Sequence, residues 1–311
     1  MGQLIDGRWK TDDELTAADR DRSPDSFRER VGPDSRFTPE PGRYHLYVAR
    51  ACPWAHGAVL VRALFGLEDA ISVNIVDPYR GDDGWQFTPD KPGCTPDSLH
   101  GSDYLHEVYT RADPAFTGRV TTPVLWDKQE GTIVNNESIE IMRMLATAFE
   151  DHGDVSLYPE SKRERIDAVV EELHDPVNRG VYTAGFATSQ AAYEDAVSDL
   201  FDALDRWESV LADRRYLVGA SLTLADLRLF PTLVRFDPVY HTHFRCNRKR
   251  LVDYPNLWGY TRDIYQRRGV ADTVNMAHIE NHYYRSHTGL NPNGLVPVGP
   301  DIDLTAPHQR G

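Results

Sequence analysis

The chain has 311 residues, a formal net charge of −14 and three cysteines. This length allows two domains with a sizeable core, and the negative charge argues against general binding to a phosphate backbone. The few cysteines argue against a disulfide scaffold and favour a cytoplasmic protein. No segment of the sequence has the length of a membrane span or the pattern of a signal peptide.

The N-terminal half begins with a polar segment rich in Asp, Arg and Pro, which predicts an irregular arm over 1–40. A β-α-β unit follows, with a strand over 44–49, a helix over 53–65 and a strand over 71–76. The next segment, 77–119, is rich in Gly, Pro and Asp. It is too long for an ordinary connection, so we expect it to be functional.

Two further strands, over 120–126 and 131–134, precede a helix that begins at Glu137. The resulting order, β-α-β, a long link and β-β-α, is typical of a thioredoxin-like domain, which we place at 41–152.

The C-terminal half has apolar residues at helical spacing, which predicts an all-helical domain over 157–290. Thr223-Leu224-Ala225-Asp226 is a capping-box pattern and predicts a helix start. The tail over 291–311 is rich in Pro and Gly, and we expect it to be extended. The clearest helical windows are 163–173, 191–211 and 224–234.

Cys52 is the most informative residue, because it lies between the predicted strand and the helix that begins at Pro53. A thiol ahead of a helix N-terminus faces unpaired N–H groups and the positive end of the helix dipole, which favour the thiolate. Ala55 stands where a Cys-x-x-Cys dithiol has its second cysteine. Oxidation should therefore give a mixed disulfide with a small external thiol. The alternative is a buried cysteine that only fills space.

Seven short motifs are spread over both predicted domains. They are Cys-Pro-Trp-Ala at 52–55, Asn-Asn-Glu-Ser at 135–138, Gly-Val-Tyr at 180–182, Ala-Gly-Phe-Ala at 184–187, Arg-Phe-Asp-Pro-Val-Tyr at 235–240, Asp-Tyr-Pro-Asn-Leu-Trp at 253–258 and His-Tyr-Tyr at 282–284. Over residues 44–297 the chain resembles the glutathionyl-hydroquinone reductases, the Xi-class glutathione transferases. The resemblance implies a thioredoxin-like α/β domain followed by an all-α glutathione-transferase domain, and a homodimer built from the helical domains.

The resemblance also implies a reaction. The Cys52 thiolate attacks the sulfur of a glutathionyl-hydroquinone, which releases the hydroquinone and leaves a Cys52–glutathione mixed disulfide. A second glutathione then frees Cys52 and leaves as glutathione disulfide. Glutathione is the cosubstrate, and no metal, flavin or nicotinamide is expected. The residues that the resemblance places at the glutathione site are Trp85, Arg119, Thr122, Pro123, Glu137 and Ser138.

Several of these residues have a simpler reading beside the functional one. Thr122-Pro123 is expected to be a cis bond that lets Thr122 contact the thiol through its backbone, although Pro123 could be an ordinary edge-strand proline. The family usually has Val at the position of Thr122. Glu137 and Ser138 are expected to bind the γ-glutamyl end, and the alternative is simple helix capping.

Three tyrosines, Tyr182, Tyr240 and Tyr283, are the candidates for the hydroquinone pocket, since a phenol offers an apolar wall and a hydrogen-bonding hydroxyl. Tyr284 could replace its neighbour Tyr283. Thr183 departs from the family, which normally has Lys there. For Trp85 and Arg119 the resemblance implies that the indole covers the tripeptide and that the guanidinium pairs with a carboxylate.

Other interpretations are kept open. A broader thiol transferase or dehydroascorbate reductase would share Cys52 but would not need the tyrosines. A related thiol such as γ-glutamylcysteine could replace glutathione, and a non-enzymatic binding module could keep the fold alone. His241, His243 and Cys246 have a spacing that resembles a metal site, but no second cluster completes a tetrahedral set.

Overall fold

The structure, a computed structural model, describes residues 2–311 and divides into two compact units. The first unit ends at His152, and Ala63–Phe65 is the one segment before that residue that belongs to the second unit, Gly153–Gly311. The domain boundaries expected from the sequence, at 40, 152, 157 and 290, remain predictions.

The first unit is built on a four-stranded sheet with the order β4-β3-β5-β6. Strands β3 and β4 are parallel, and a parallel pair needs a crossover, which helix α2 supplies. The other two neighbouring pairs are antiparallel. All five residues of β3 are buried, as its aromatic and β-branched sequence predicts. The elements are β3 (Tyr44–Val48), α2 (Pro53–Leu64), β4 (Ile71–Ile75), β5 (Val124–Asp127), β6 (Thr132–Asn135) and α4 (Ser138–Ala148).

The expected irregular arm contains a β-hairpin, formed by β1 (Gln3–Ile5) and β2 (Arg8–Lys10). Asp6 and Gly7 form its turn with φ of 48° and 73°, and an Asp-Gly pair tolerates such values best. The Leu4 N–H donates to Gly118 O and the Gly118 N–H donates to Leu4 O, both at 2.9 Å, which ties the hairpin to the segment before β5. This signal was present in the sequence, and the prediction of an irregular arm was wrong for these residues. A four-residue helix α1 (Ala17–Arg20) follows.

The long link between β4 and β5 is also more ordered than its composition suggests, because it holds helix α3 (Leu105–Ala112). The Asp97 carboxylate orders the segment before this helix by accepting hydrogen bonds from Tyr47 Oη at 3.0 Å and from the Ser102 N–H at 3.1 Å. The link is therefore an ordered part of the first unit, and its side chains have defined positions.

The second unit is helical. The predicted capping box starts α8, where the Asp226 carboxylate accepts from the Thr223 N–H at 2.7 Å. Tyr260 Oη donates to the same carboxylate at 2.9 Å and so ties α9 to α8. None of the helices within 2–311 could span a membrane. The helices are α5 (Arg163–Leu173), α6 (Gly180–Gly185), α7 (Gln190–Asp213), α8 (Leu224–Val234), α9 (Pro255–Tyr265) and α10 (Met276–Ser286), with π-helical turns at His174–Arg179 and Phe236–Tyr240.

The C-terminal tail lies against the helices of the second unit, to which it belongs, without forming a helix or strand itself. The Arg310 guanidinium donates to the carbonyl oxygens of Leu211 at 2.9 Å and Arg215 at 3.1 Å, at the end of α7. A cation at the C-terminus of a helix meets unpaired carbonyl groups and the negative end of the dipole, and this holds the tail in place.

Candidate active site

Cys52 lies in the short turn between β3 and α2. Its N–H donates to Ala49 O at 3.0 Å, and its carbonyl accepts from His56 N at 3.1 Å, so it directly precedes the helix that begins at Pro53. The side chain is partly buried. Its Sγ is 3.6 Å from Thr122 O, to which the thiol donates. The thiol thus lies where the sequence predicted it, at a helix N-terminus.

The Thr122–Pro123 bond is cis, as the sequence predicted, and it lies beside Cys52. Tyr109 holds the preceding residue in place, since its hydroxyl donates to Thr121 O at 2.9 Å. The Thr122 side chain is buried, and its hydroxyl has no hydrogen-bond partner among the described residues. The Thr122 hydroxyl is thus enclosed, whereas its carbonyl oxygen faces the Cys52 thiol.

Glu137 and Ser138 lie at the N-terminus of α4, at the end of β6. Within the described chain no side-chain cap hydrogen bond forms at this helix end, so simple capping by Glu137 lacks its usual contact. The Glu137 N–H is held by Asn135 Oδ1 at 2.7 Å. Ser138 Oγ donates to Glu137 Oε1 at 3.4 Å. A carboxylate and a helix N-terminus side by side suit an amino-acid end, which carries both charges.

Trp85 and Arg119 come from the long link, and a residue that the sequence reasoning missed joins them. Trp85 is buried and belongs to the apolar cluster on which Cys52 packs, while Arg119 is exposed. Arg80 lies over the Trp85 ring, with its Cζ 5.3 Å from the ring centroid. Burial, with a smaller contribution from the positive charge of Arg119, lowers the pKa of Arg80 to about 10, and Cys52 acts in the opposite direction. Arg80 stays protonated at neutral pH.

The three candidate tyrosines come together in the second unit. Tyr283 of α10 is hydrogen-bonded through its hydroxyl to Tyr240 Oη at 2.9 Å and also to Tyr182 Oη. Burial first, and then the neighbouring Tyr240, raises the pKa of Tyr283 well above its usual value. Tyr284 instead donates to Pro238 O at 2.9 Å. Tyr283 is therefore the member of the adjacent pair that joins the other two.

Phe244 is the common neighbour of this tyrosine cluster. Its buried ring is stacked on Tyr240 with centroids 5.6 Å apart and meets Tyr182 at 5.2 Å and Tyr283 at 5.7 Å. A Cβ on Gly185 would lie 2.3 Å from the Phe244 ring, so only glycine leaves room for it. The sequence motif around Gly185 signals this position, but not its contact.

Of the residues with metal-like spacing, His243 forms a hydrogen bond with a histidine from another segment, His287. His243 Nε2 and His287 Nδ1 are 3.2 Å apart, as partners in a hydrogen bond. Over residues 2–311 no three His, Cys, Asp or Glu side chains are grouped so that they could hold a metal ion. Cys246 is buried, which raises the pKa of its thiol to about 12, and burial also raises the pKa of Cys94. Neither thiol resembles Cys52 in its surroundings.

Comparison with known proteins relates both halves of the chain to the glutathione transferases. The family models for the glutathione S-transferase N-terminal and C-terminal domains match residues 51–148 and 190–263. Among curated proteins, the chain is 49% identical to glutathionyl-hydroquinone reductase YqjG of Escherichia coli K12, over 100% of this chain and 98% of that protein. It is 51% identical to glutathionyl-hydroquinone reductase PcpF of Sphingobium chlorophenolicum, over 96% of each.

Solved structures agree with this assignment. A Xi-class glutathione transferase from Natrialba magadii superposes with a TM-score of 0.95 at 55% identity, over 100% of this chain and 96% of that chain. The glutathione-bound structure of Escherichia coli YqjG gives a TM-score of 0.92 at 48% identity, over 99% of both chains. The predicted fold, a thioredoxin-like domain followed by a helical transferase domain, is confirmed.

Proposed function

The chain belongs to the glutathionyl-hydroquinone reductases, the Xi class of the glutathione transferases, and on this basis we propose that it removes glutathione from glutathionyl-hydroquinones through Cys52. One observation carries the chemistry: a single thiol lies at the N-terminus of α2 beside the backbone of Thr122, with Ala55 where a dithiol would have its second sulfur. Such a thiol can only exchange with an external sulfur.

The reaction balances with glutathione as its reductant. The Cys52 thiolate attacks the sulfur of the substrate, so a sulfur–sulfur bond forms and the bond from sulfur to the ring carbon breaks. The bonding electron pair stays with the ring, which takes up one proton and leaves as hydroquinone. The thiolate of a second glutathione then attacks the mixed disulfide, which forms glutathione disulfide and frees Cys52. The proton lost by that second glutathione replaces the one taken up by the ring.

We assign the tyrosine cluster of Tyr182, Tyr240 and Tyr283 to the hydroquinone. Three hydroxyls joined by hydrogen bonds can donate to a phenolic oxygen and share the charge that develops on the leaving ring. In the first unit, Glu137 and Ser138 suit the γ-glutamyl end, Trp85 the tripeptide surface and Arg119 a carboxylate. Thr122 and Pro123 supply backbone groups to the cysteinyl part of the ligand.

The test of the nucleophile is the intact mass of the protein after mixing with a glutathionyl-hydroquinone, for the wild type and for Cys52→Ala. The wild type should gain one glutathione and release free hydroquinone, and the variant should do neither. An unmodified wild type without released hydroquinone would contradict the proposal. Repeating the experiment with the γ-glutamylcysteine adduct then separates a wrong cosubstrate from a wrong reaction.

Replacing the tyrosines with Phe distinguishes this function from a broader thiol transferase. Hydroquinone release should fall while exchange with a simple glutathione mixed disulfide is preserved, because only the first reaction has a phenolic leaving group. Equal losses in both activities would favour the broader transferase.

We further propose that the protein acts in the cytoplasm as a homodimer formed by its helical domains, as the family resemblance implies. Light scattering on the purified protein tests the dimer directly, and a monomer at micromolar concentration would contradict it.

A further inference from the structure

A cavity of about 500 Å³ lies within the second unit, between the segment that leads into α5 and the segment that leads into α8. Its lining comes from residues 154–162 and 216–223, together with Arg267, and among the described residues it includes no member of the tyrosine cluster. The Leu224 N–H donates to Leu157 O at 2.9 Å and ties the two segments together. The volume falls within the range of about 300–1,000 Å³ that is usual for small-molecule sites.

Arg267 gives one wall of this cavity a positive charge that its neighbours do not fully balance. The nearby carboxylate of Asp263 already accepts from both ends of the Arg215 guanidinium, at 2.8 and 3.0 Å. Arg267 lies 4.0 Å from the same carboxylate and donates to the hydroxyl of Tyr216. Its Nε is buried and has no hydrogen-bond partner within residues 2–311. One carboxylate thus faces two guanidinium groups, which leaves an excess of positive charge at the cavity.

Lys162 is the second cation of the lining, and its ammonium group forms no ion pair with any described residue. Lys10, by contrast, pairs with Asp19 at 2.9 Å. Asp154 is the one acidic side chain among the described residues of the lining, and it is exposed. The cavity therefore carries more positive than negative charge, in a chain whose net charge is −14.

The rest of the lining is rich in hydroxyl groups. Ser161 and Ser221 both line the cavity and are exposed, and neither hydroxyl bonds to another described side chain or backbone group. An apolar ligand would remove water from the charged groups without replacing their hydrogen bonds, which is costly. A ligand with an anionic group and several hydroxyls would instead satisfy both kinds of lining group.

We propose that this cavity binds a small phosphate ester with a hydroxylated body, such as a sugar phosphate. Lys162 and Arg267 hold the phosphate, the first as a point charge and the second through the paired N–H groups of its planar guanidinium. Ser161, Ser221 and the carboxylate of Asp154 bond the hydroxyl groups of the body. The proposal is independent of the reaction proposed for Cys52.

The test is calorimetric titration of the full chain with glucose 6-phosphate at constant ionic strength. The wild type should bind the ester saturably, and it should bind glucose and inorganic phosphate more weakly, because each offers only part of the ligand. Lys162→Gln and Arg267→Gln should each weaken binding of the ester about tenfold or more, as expected for the loss of a charge-assisted hydrogen bond.

Two matched controls remove the same charges outside the cavity. Lys128→Gln alters an exposed lysine directly after β5, and Arg268→Gln alters the exposed neighbour of Arg267. Both should leave binding within about twofold, since exposed charges at a distance are screened. If circular dichroism shows that Arg267→Gln is misfolded through the loss of its contact with Tyr216, Lys162→Glu reports instead. It should weaken the ester more than Lys162→Gln, because it adds repulsion.

Four results would overturn the proposal. Absence of saturable binding by the wild type at about 10 mM ester would mean that the cavity is not a site for this class of ligand. Unchanged binding in Lys162→Gln would place the phosphate elsewhere, and equal losses in the control variants would indicate a general effect of net charge. Inorganic phosphate that binds as tightly as the ester would overturn the assignment of a hydroxylated body.

Discussion

Thr122→Val should stabilise the first unit, although it alters a residue beside the reactive thiol. The Thr122 hydroxyl is buried and has no partner among the described residues. Leaving a buried hydroxyl unsatisfied costs about 1–3 kcal/mol, and valine fills the same space with a methyl group. We expect a gain of about 1 kcal/mol, at the low end of this range, because valine no longer loses the hydration that the threonine hydroxyl has in the unfolded chain.

The two units need not unfold together, so a single melting temperature would mix their responses. Native-state hydrogen exchange of the amides of β3 and β5 reports the first unit by itself. Thr122→Val should slow the exchange of the most protected of these amides about fivefold, which is the equivalent of about 1 kcal/mol.

Thr122→Ser is the matched control, because it keeps the hydroxyl and removes only a buried methyl group. It should cost about 1 kcal/mol by the loss of apolar burial. The reasoning is refuted if the valine variant exchanges as fast as the wild type or faster, because the hydroxyl would then be satisfied in solution, for instance by an ordered water.

Three further outcomes follow from the structure. Gly185→Ala should cost about 1–3 kcal/mol in chemical unfolding and lower the rate of hydroquinone release, because its Cβ would displace Phe244 from the tyrosine cluster; an unchanged midpoint would contradict the clash. Burial lowers the pKa of His243 from 6.5 to about 4, so its contribution to stability is complete above pH 6.5 and is lost as the pH falls through 4. The free energy of unfolding measured from pH 7 to pH 4 should fall by up to about 3 kcal/mol in the wild type and by less in His243→Gln. The same pH dependence in both proteins would refute this prediction. Iodoacetamide at pH 8 should modify Cys52 and spare Cys246, whose burial raises its pKa to about 12; peptide mapping that finds both modified in the native protein would show that the second unit opens.

The features of the site that are local in the chain could be predicted from the sequence. The strand–Cys–Pro–helix order placed Cys52 at a helix N-terminus, and Thr122-Pro123 marked a cis bond. The capping box at Thr223 marked the start of α8. Each of these depends on dihedral preferences and hydrogen bonds within a few residues, and such preferences act before any tertiary contact forms.

Two parts of the fold escaped prediction for different reasons. The Asp6-Gly7 pair is a sufficient local signal for a hairpin turn, but the polar composition of the surrounding segment favoured the prediction of an irregular arm. Helix α3 has its apolar residues in a segment dominated by Gly, Pro and Asp. Its helical state is stabilised by packing in the apolar cluster that contains Leu105 and Val108, and tertiary burial of that kind outweighs weak propensity.

The sequence by itself determined the order of the elements around the four-stranded sheet, the position of Cys52 directly ahead of a helix and the family of the enzyme. Only the tertiary structure decided which of two adjacent tyrosines, Tyr283 or Tyr284, joins Tyr182, a residue 101 positions away in the chain. It alone placed Arg80 over Trp85, which belongs to the apolar cluster against which Cys52 packs. The physical reason is that backbone preferences are set by neighbours in sequence, whereas side chains of distant segments meet only after loops are closed and the core is packed.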